Sequence, residues 1–278
     1  MHIRISQLLH LWLVTVVMAM PTLLQAQTSD SLIVSRLRDC GIKFSHDNSV
    51  TLLTNGQEKF DDLFKAIDQA RSSIHMEYFN FRNDSINRLL MTHLAPKVKQ
   101  GVEVRLLFDA FGNSSNNSPM RKADIRRIRA LGIEIYEFDP IRFPYVNHVF
   151  SRDHRKIVVI DGKIAYTGGM NVADYYIKGT PKVGSWHDMH CRIQGSEVNT
   201  LQAIFLKMWN KVSGQNVHGA KYFRGLGHDE YFHGLKPDTC HTAGHKMVGI
   251  INREPHTSNK IIREFYTNAI RYAKDSIK

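Results

Sequence analysis

Read as apolar and polar positions, the chain alternates between two periods from about residue 50 onward. "SVTLLT" has the density of a strand, and "EKFDDLFKAIDQARSS" sets Phe60, Leu63, Phe64, Ile67 and Ala70 at helical spacing. "IHMEYFNF" reads as a strand. "SINRLLMTHLAPKVKQ" reads as a helix, with Asp84 as its N-cap and Gly101 ending it. "VEVRLLFDAF" predicts a buried strand, then come the polar loop "GNSSNNSP", a helix in "MRKADIRRIRAL" and a strand in "GIEIYEFDP". Further on, "SWHDMHCRIQG" predicts a strand. "SEVNTLQAIFLKMWNKVS" predicts a helix with Val198, Leu201, Ile204, Phe205 and Trp209 turned inward. This alternation predicts an α/β sandwich with a largely buried sheet.

The pattern is different at both ends. Residues 1–26 join a short basic start, "MHIRIS", to the apolar "LLHLWLVTVVMAMPTLL", which predicts an export signal or an N-terminal membrane anchor. Pro21 and the small residue Ala26 favour a cleaved signal, and both readings put the protein outside the cytoplasm at the cell envelope. Residues 27–49 form a weakly patterned lead-in, and 213–245 an irregular Gly- and His-rich loop. Residues 246–278 resume the strand and helix periods. There "AIRYAKDSI" at 269–277 echoes "AIDQARSSI" at 66–74, with Ala66/Ala269, Ile67/Ile270, Ala70/Ala273, Arg71/Lys274, Ser73/Ser276 and Ile74/Ile277 in register. The alternatives are a chance likeness between amphipathic helices and an internal duplication. Under the second, residues 50–212 are a first lobe and 246–278 begin an incomplete second one.

Composition narrows the partners. With 278 residues, 42% of them hydrophobic and 23% charged, the chain has the makings of a globular protein with a sizeable core. Its formal charge of +11 favours polyanions: nucleic acid or an anionic membrane surface. Around Ile125 and Ile128, Arg121, Lys122, Arg126, Arg127 and Arg129 make a basic helix face that is either simply solvated or leans on lipid headgroups. Cys40, Cys191 and Cys240 match no metal spacing and are expected to be small buried hydrophobes. His218, His228, His233, His241 and His245 repeat no ligand set either, so no metal or other cofactor is expected.

The candidate chemistry lies in "RDHRKIVVIDGKIAYTGGMN", residues 152–171. Side chains two apart on a strand share a face, so His154 and Lys156 point one way and Arg155 the other. Asp161–Gly162 has the chemistry of a tight hairpin turn, which carries Gly168, Gly169 and Asn171 back toward His154. An imidazole, an ammonium and an amide converging on one spot suit a phosphoryl group. Lys156 would offset charge on the non-bridging oxygens, Asn171 would donate to them, and neutral His154 would attack phosphorus to give a phosphohistidine. Asp161, some four strand steps from Lys156, suits a turn or a network better than direct acid–base work. A histidine with Lys at +2 and Asp at +7 arises by chance in roughly a few per cent of chains, and the added Gly-Gly and Asn lower that by orders of magnitude.

The pattern H-x-K-x4-D-x6-G-G-x-N resembles the HKD motif of the phospholipase D superfamily. The flanking "AIDQARSSIHMEYFNF", "GVEVRLLFDAFG" and "WHDMHCRIQGSEVNTLQAIFLKMW" are most similar to its bacterial cardiolipin synthases. The resemblance implies a lobe with a mixed, mostly buried β-sheet flanked by helices on both faces. It implies His154, Lys156 and Asp161 as the catalytic motif residues, with Lys156, Asn171 and Gly169 binding phosphate. It further implies that Asp188, in "HDMH", hydrogen-bonds His154 and fixes its tautomer; the alternative is an ordinary aspartate at a strand edge. Family members set two motifs around one site, and this sequence carries one. The second is expected in cis from a longer chain, or from a homodimer partner. The implied activity is phosphatidyl transfer between phosphatidylglycerol molecules at a membrane surface. The alternatives are phospholipase D hydrolysis, an exported phosphodiesterase acting on nucleic acid, and an inactive truncated lobe.

Overall fold

The computed structural model describes residues 29–140, 150–225, 244–274 and 276–277. The expected leader at 1–26, Cys240, and His228, His233 and His241 lie outside them. The chain divides into two compact units, one of residues 43–259 and one of residues up to 42 together with those from 260. Among the described residues no helix is long and apolar enough to cross a membrane.

The larger unit is built on one eight-stranded sheet, in the order β4-β3-β2-β5-β6-β7-β1-β8. Its strands are β1 (Phe44–Leu53), β2 (Ser73–Tyr78), β3 (Glu103–Asp109), β4 (Glu134–Phe138), β5 (Lys156–Ile160), β6 (Ile164–Gly168), β7 (His190–Gln194) and β8 (Lys246–Gly249). β2, β3 and β4 run parallel, and every other pairing is antiparallel, so the sheet is mixed. All residues of β2 and β5 are buried, as in strands covered on both faces, and the polar Ser73, His75, Glu77 and Lys156 are buried with them.

The helices are α1 (Ser29–Asp39), α2 (Gly56–Gln69), α3 (Ser85–Lys99), α4 (Ala110–Ser114), α5 (Lys122–Ala130), α6 (Tyr175–Lys178), α7 (Glu197–Ser213) and α8 (Ile261–Tyr272). One core holds Phe60, Leu63, Ile67, Leu90 and Leu94 from α2 and α3 with Ile74, Met76 and Val158 from the sheet. The other holds Val198, Leu201, Phe205 and Trp209 of α7 with Ile157, Val159 and Ala165. Successive residues of β5 thus feed opposite cores, and helices cover both faces as expected. Asp84 caps α3 by accepting from the Asn87 N–H at 3.3 Å.

Several boundaries differ from expectation. β1 begins at Phe44, inside the supposed lead-in, and the polar loop after β3 opens with the short helix α4, capped by Asp109. β7 starts only at His190, so Asp188 precedes it. Cys40 is exposed and Cys191 partly so, and the Cys40 thiol lies 3.8 Å from Glu264 Oε2. β8, expected to open a second lobe, pairs with β1 in the first lobe's own sheet.

In the smaller unit α1 packs on α8, with Leu37 and Ile261 buried. α8 echoes part of the α2 pattern, but the shared apolar positions are open: Tyr266 is 62% and Ile270 59% exposed, while their counterparts Leu63 and Ile67 are fully buried.

Candidate active site

One edge of the sheet collects the polar groups. It is where β2 and β3 end, β5 begins, β6 ends and β7 begins. Tyr78 at the end of β2 stands opposite Lys156 at the start of β5, and Gly168 stands opposite His190. His154 lies just before β5 rather than inside it, yet its ring and Lys156 do share a side. Lys156 Nζ donates to the His154 carbonyl at 2.7 Å and lies 3.1 Å from Nδ1 and 3.3 Å from Nε2 of the ring. The imidazole rests against Phe79, with centroids 4.6 Å apart, and is exposed, whereas Lys156 is buried beneath it.

Both groups are tuned by this arrangement. Partial burial, then the Lys156 ammonium, lower the His154 pKa against the pull of Asp153, so the ring is neutral near pH 7 with a lone pair available. Burial brings Lys156 down to about 8, and Asp153, Asp188 and Asp109 limit the fall. At neutral pH the lysine remains mostly a cation. An exposed neutral nucleophile over a buried cation is suited to attack on a phosphodiester, whose anionic oxygens the ammonium offsets.

The loop bearing His154 is clamped from the other face. The Asp153 N–H donates to Asp109 Oδ2 at 2.8 Å, and Arg155 Nε sits 2.9 Å from Asp153 Oδ1 and 2.7 Å from Glu77 Oε1. Arg152 lies 3.6 Å from Asp109 Oδ1 and 2.7 Å from Asp139 Oδ2. Glu77 is fully buried; burial and then Asp153 raise its pKa against Arg155. Sequence reading missed this clamp because its charges come from four segments. Its one visible signal was strict alternation: if His154 and Lys156 face one way, Arg155 has to be neutralised on the other.

The structure places the remaining expected site residues unevenly. Asp161 lies at the far end of β5, about 16 Å of extended chain from Lys156. Its carboxylate accepts from the N–H of Arg71 (2.8 Å), Ser72 (2.7 Å) and Ser73 (3.0 Å), so it anchors the turn and takes no direct part beside His154. With Gly162 it adopts positive φ (54° and 61°), as the expected hairpin requires. Gly169 does not offer its N–H to phosphate, because that group donates to the Met189 carbonyl at 2.9 Å. Its importance is space, since a Cβ there would overlap the Asp188 carboxylate. Asp188 forms no hydrogen bond to His154 among the described residues; its Oδ1 accepts from the Met189 N–H at 2.7 Å. It acts at a distance, as a negative charge that favours the Lys156 cation. Asn171 comes back to this edge as expected, but buried. Its Oδ1 accepts from the Asn80 N–H at 3.2 Å and its Nδ2 donates to Tyr176 Oη at 3.1 Å, with the Tyr175 hydroxyl a further hydrogen-bonding neighbour of the amide. Among the described residues no cluster of His, Cys, Asp and Glu has the makings of a metal site.

The family described as "Cardiolipin synthase, PLD-like domain" matches residues 63–209, which hold the whole of this site's motif. The probable cardiolipin synthase YwiE of Bacillus subtilis is 39% identical over 180 residues, covering 64% of this chain and 35% of the relative. A Staphylococcus aureus cardiolipin synthase is 38% identical over 232 residues, covering 83% of this chain and 44% of that one. Among solved structures, the phospholipase D family member Nuc of Salmonella typhimurium aligns with a TM-score of 0.44 and 21% identity, over 59% of this chain and 96% of Nuc. The chain spans less than half the length of the curated relatives it matches. Across that span, it belongs to the cardiolipin synthase, phospholipase D-like family.

Proposed function

We propose that the chain provides one half of a phosphatidyltransferase of the cardiolipin synthase type. The observation that carries this reading is the exposed His154 ring with the buried Lys156 Nζ 3.1 and 3.3 Å from its two nitrogens. In the first step a ring nitrogen bonds to the phosphorus of phosphatidylglycerol. The bond from phosphorus to the glycerol oxygen breaks, and that oxygen takes a proton from a general acid. In the second step the hydroxyl of another phosphatidylglycerol gives its proton to the same group, now a base. Its oxygen bonds to phosphorus, and the nitrogen–phosphorus bond breaks. The products are cardiolipin and glycerol. Lys156 holds the non-bridging oxygens throughout, with the Asn171 amide turning from its tyrosine partners to donate to them.

The general acid in this scheme is the histidine of a second HKD motif, because the 278 residues contain only one H-x-K-x4-D. It comes from a second lobe in cis or from a homodimer partner. A net charge of +11 supports work at an anionic lipid surface, and residues 1–26 would deliver the protein there by export or anchoring. The test mixes purified protein with phosphatidylglycerol vesicles and separates the lipids by chromatography, with plasmid nicking run in parallel. Cardiolipin formation that disappears with His154→Asn supports the reading. Phosphatidic acid alone would assign a hydrolase, nicking alone a nuclease, and no turnover in either arm an inactive lobe.

A further inference from the structure

Helix α2 turns Phe60, Leu63, Phe64 and Ile67 into the core, and the same face carries Lys59, which is fully buried. An amine in that setting needs a reason, since burial opposes its charged form. Burial is the main cause of its lowered pKa, with Asp188 opposing the fall and Lys156 adding to it. Lys59 Nζ lies 4.0 Å from the Phe60 ring centroid and 4.9 Å from that of Tyr78. Its hydrogen bond goes to the main-chain carbonyl of Asn171, at 3.1 Å. The start of α2 is built for this approach. Asn55 caps the helix by accepting from the Glu58 N–H at 2.9 Å, and Gly56 allows the Tyr176 main chain closer than any Cβ would. The buried neighbours His190 and Tyr78 do not hold that main chain, since among the described residues neither ring nitrogen of His190 nor Tyr78 Oη finds a hydrogen-bond partner.

We propose that Lys59 is a positioning residue of the transfer site: from inside the core its amine holds the Asn171 main chain and so aims the Asn171 amide at the phosphate. This rests on the reading of Asn171 as a phosphate donor in the reaction above. A purely structural lysine would be dispensable to chemistry, and replacing it with an apolar residue of similar shape would leave turnover intact. A positioning lysine has a different signature, because its loss costs nothing further once the group it positions is gone.

The experiment is a double-mutant cycle with Lys59→Met and Asn171→Ala, alone and together. It is read on phosphatidyl transfer from phosphatidylglycerol vesicles and on calorimetric binding of orthovanadate. Lys59→Met is expected to keep the wild-type melting temperature or better. It lowers kcat by roughly tenfold to a hundredfold, as misaimed polar groups do, with KM little changed. The double variant is expected to match Asn171→Ala alone. Wild-type kcat in Lys59→Met, or losses that multiply in the double variant, would overturn the proposal. Should Lys59→Met not fold, Lys59→Gln takes its place in the same cycle. If the wild-type chain transfers no lipid but binds orthovanadate, the homodimer form of the functional reading fails, and the cycle on orthovanadate affinity still decides Lys59. If it does neither, both fall.

Discussion

The two ends of strand β5 carry residues of one motif and treat them in opposite ways. At its start, Lys156 is buried with its pKa down at about 8, and His154 stands exposed beside it with its own pKa lowered. At its end, burial pushes the Asp161 pKa up. The N–H groups of Ser73, Ser72 and Arg71 and the Ser72 hydroxyl outweigh that and hold it below the usual range. The first end keeps groups away from the protonation states they prefer in water, while the second satisfies its charge completely. A motif letter does not assign a role; the partners around the side chain do. The comparison predicts that changes at the first end cost chemistry and spare the fold, and that changes at the second do the reverse.

The largest effect is expected from His154→Asn, which removes the nucleophile. Transfer should fall by roughly 10⁴-fold or more, with the melting temperature unchanged, because the exposed ring contributes little packing. Residual turnover near the wild-type rate would end the assignment. Lys156→Met follows, with a loss of about 10²–10³-fold for one removed charge at the phosphate. Its effect should appear in kcat, and steady-state kinetics on the same vesicles reads it. The pH profile tests the two together. Transfer should rise with pH through a value below the 6.5 of an unperturbed histidine, as His154 loses its proton. It should then fall above about 8, as Lys156 loses its own. A profile still rising at pH 10 would contradict the role given to Lys156.

At the other end, Asp161→Ala should cost about 2 kcal/mol, because three backbone N–H groups lose their acceptor. For a protein of this size that lowers the melting temperature by about 4–8 °C. Below that transition the remaining folded protein should turn over at nearly the wild-type rate. A loss of kcat at 25 °C comparable to that of Lys156→Met would make Asp161 part of the chemistry after all.

Much of this was legible in the sequence, and the reasons are specific. Period alone located α2, α3 and α7, and for α2 and α7 the inward residues as well, because a wide apolar stripe has no other place to go. The hairpin was legible because Asp161–Gly162 tolerates positive φ, and the pairing of His154 with Lys156 followed from strand parity. Lys59 was not, because a lysine between a glutamate and a phenylalanine is ordinarily solvent-facing. Asking which polar residues share the face of Phe60 and Leu63 would have singled it out. Asp188 was expected to hydrogen-bond His154 and Gly169 to bind phosphate, but local hydrogen bonds to Met189 intervene, and those depend on the unpatterned segment before β7. The likeness of α8 to α2 was also visible in part, yet Leu63 and Ile67 are buried while the matching Tyr266 and Ile270 are exposed. Periodicity reports which face is apolar and says nothing of what lies against it.

The smallest effect separates the two ends by pH. Asp161→Asn keeps the shape and one accepting oxygen, so at pH 7 it should cost only about 1 kcal/mol, a value reduced because the carboxylate is half in solvent. The folded pKa of Asp161 lies below its 3.8 reference, so the charged form is the one the fold prefers. Its stabilisation is therefore complete above that reference and fades as pH falls through the lowered value. The gap in unfolding free energy between wild type and Asp161→Asn should stay constant from pH 7 to about 5 and then close in acid. His154 works in a different window. Its folded pKa is also depressed, but the form the fold prefers is neutral, so the wild type loses stability relative to His154→Asn once pH drops below 6.5. Denaturant melts at steps from pH 8 to pH 3 should show the first divergence beginning near 6.5 and the second near 4. A single window shared by both variants would mean that the two ends of β5 sense one common network, and the contrast between them would not hold.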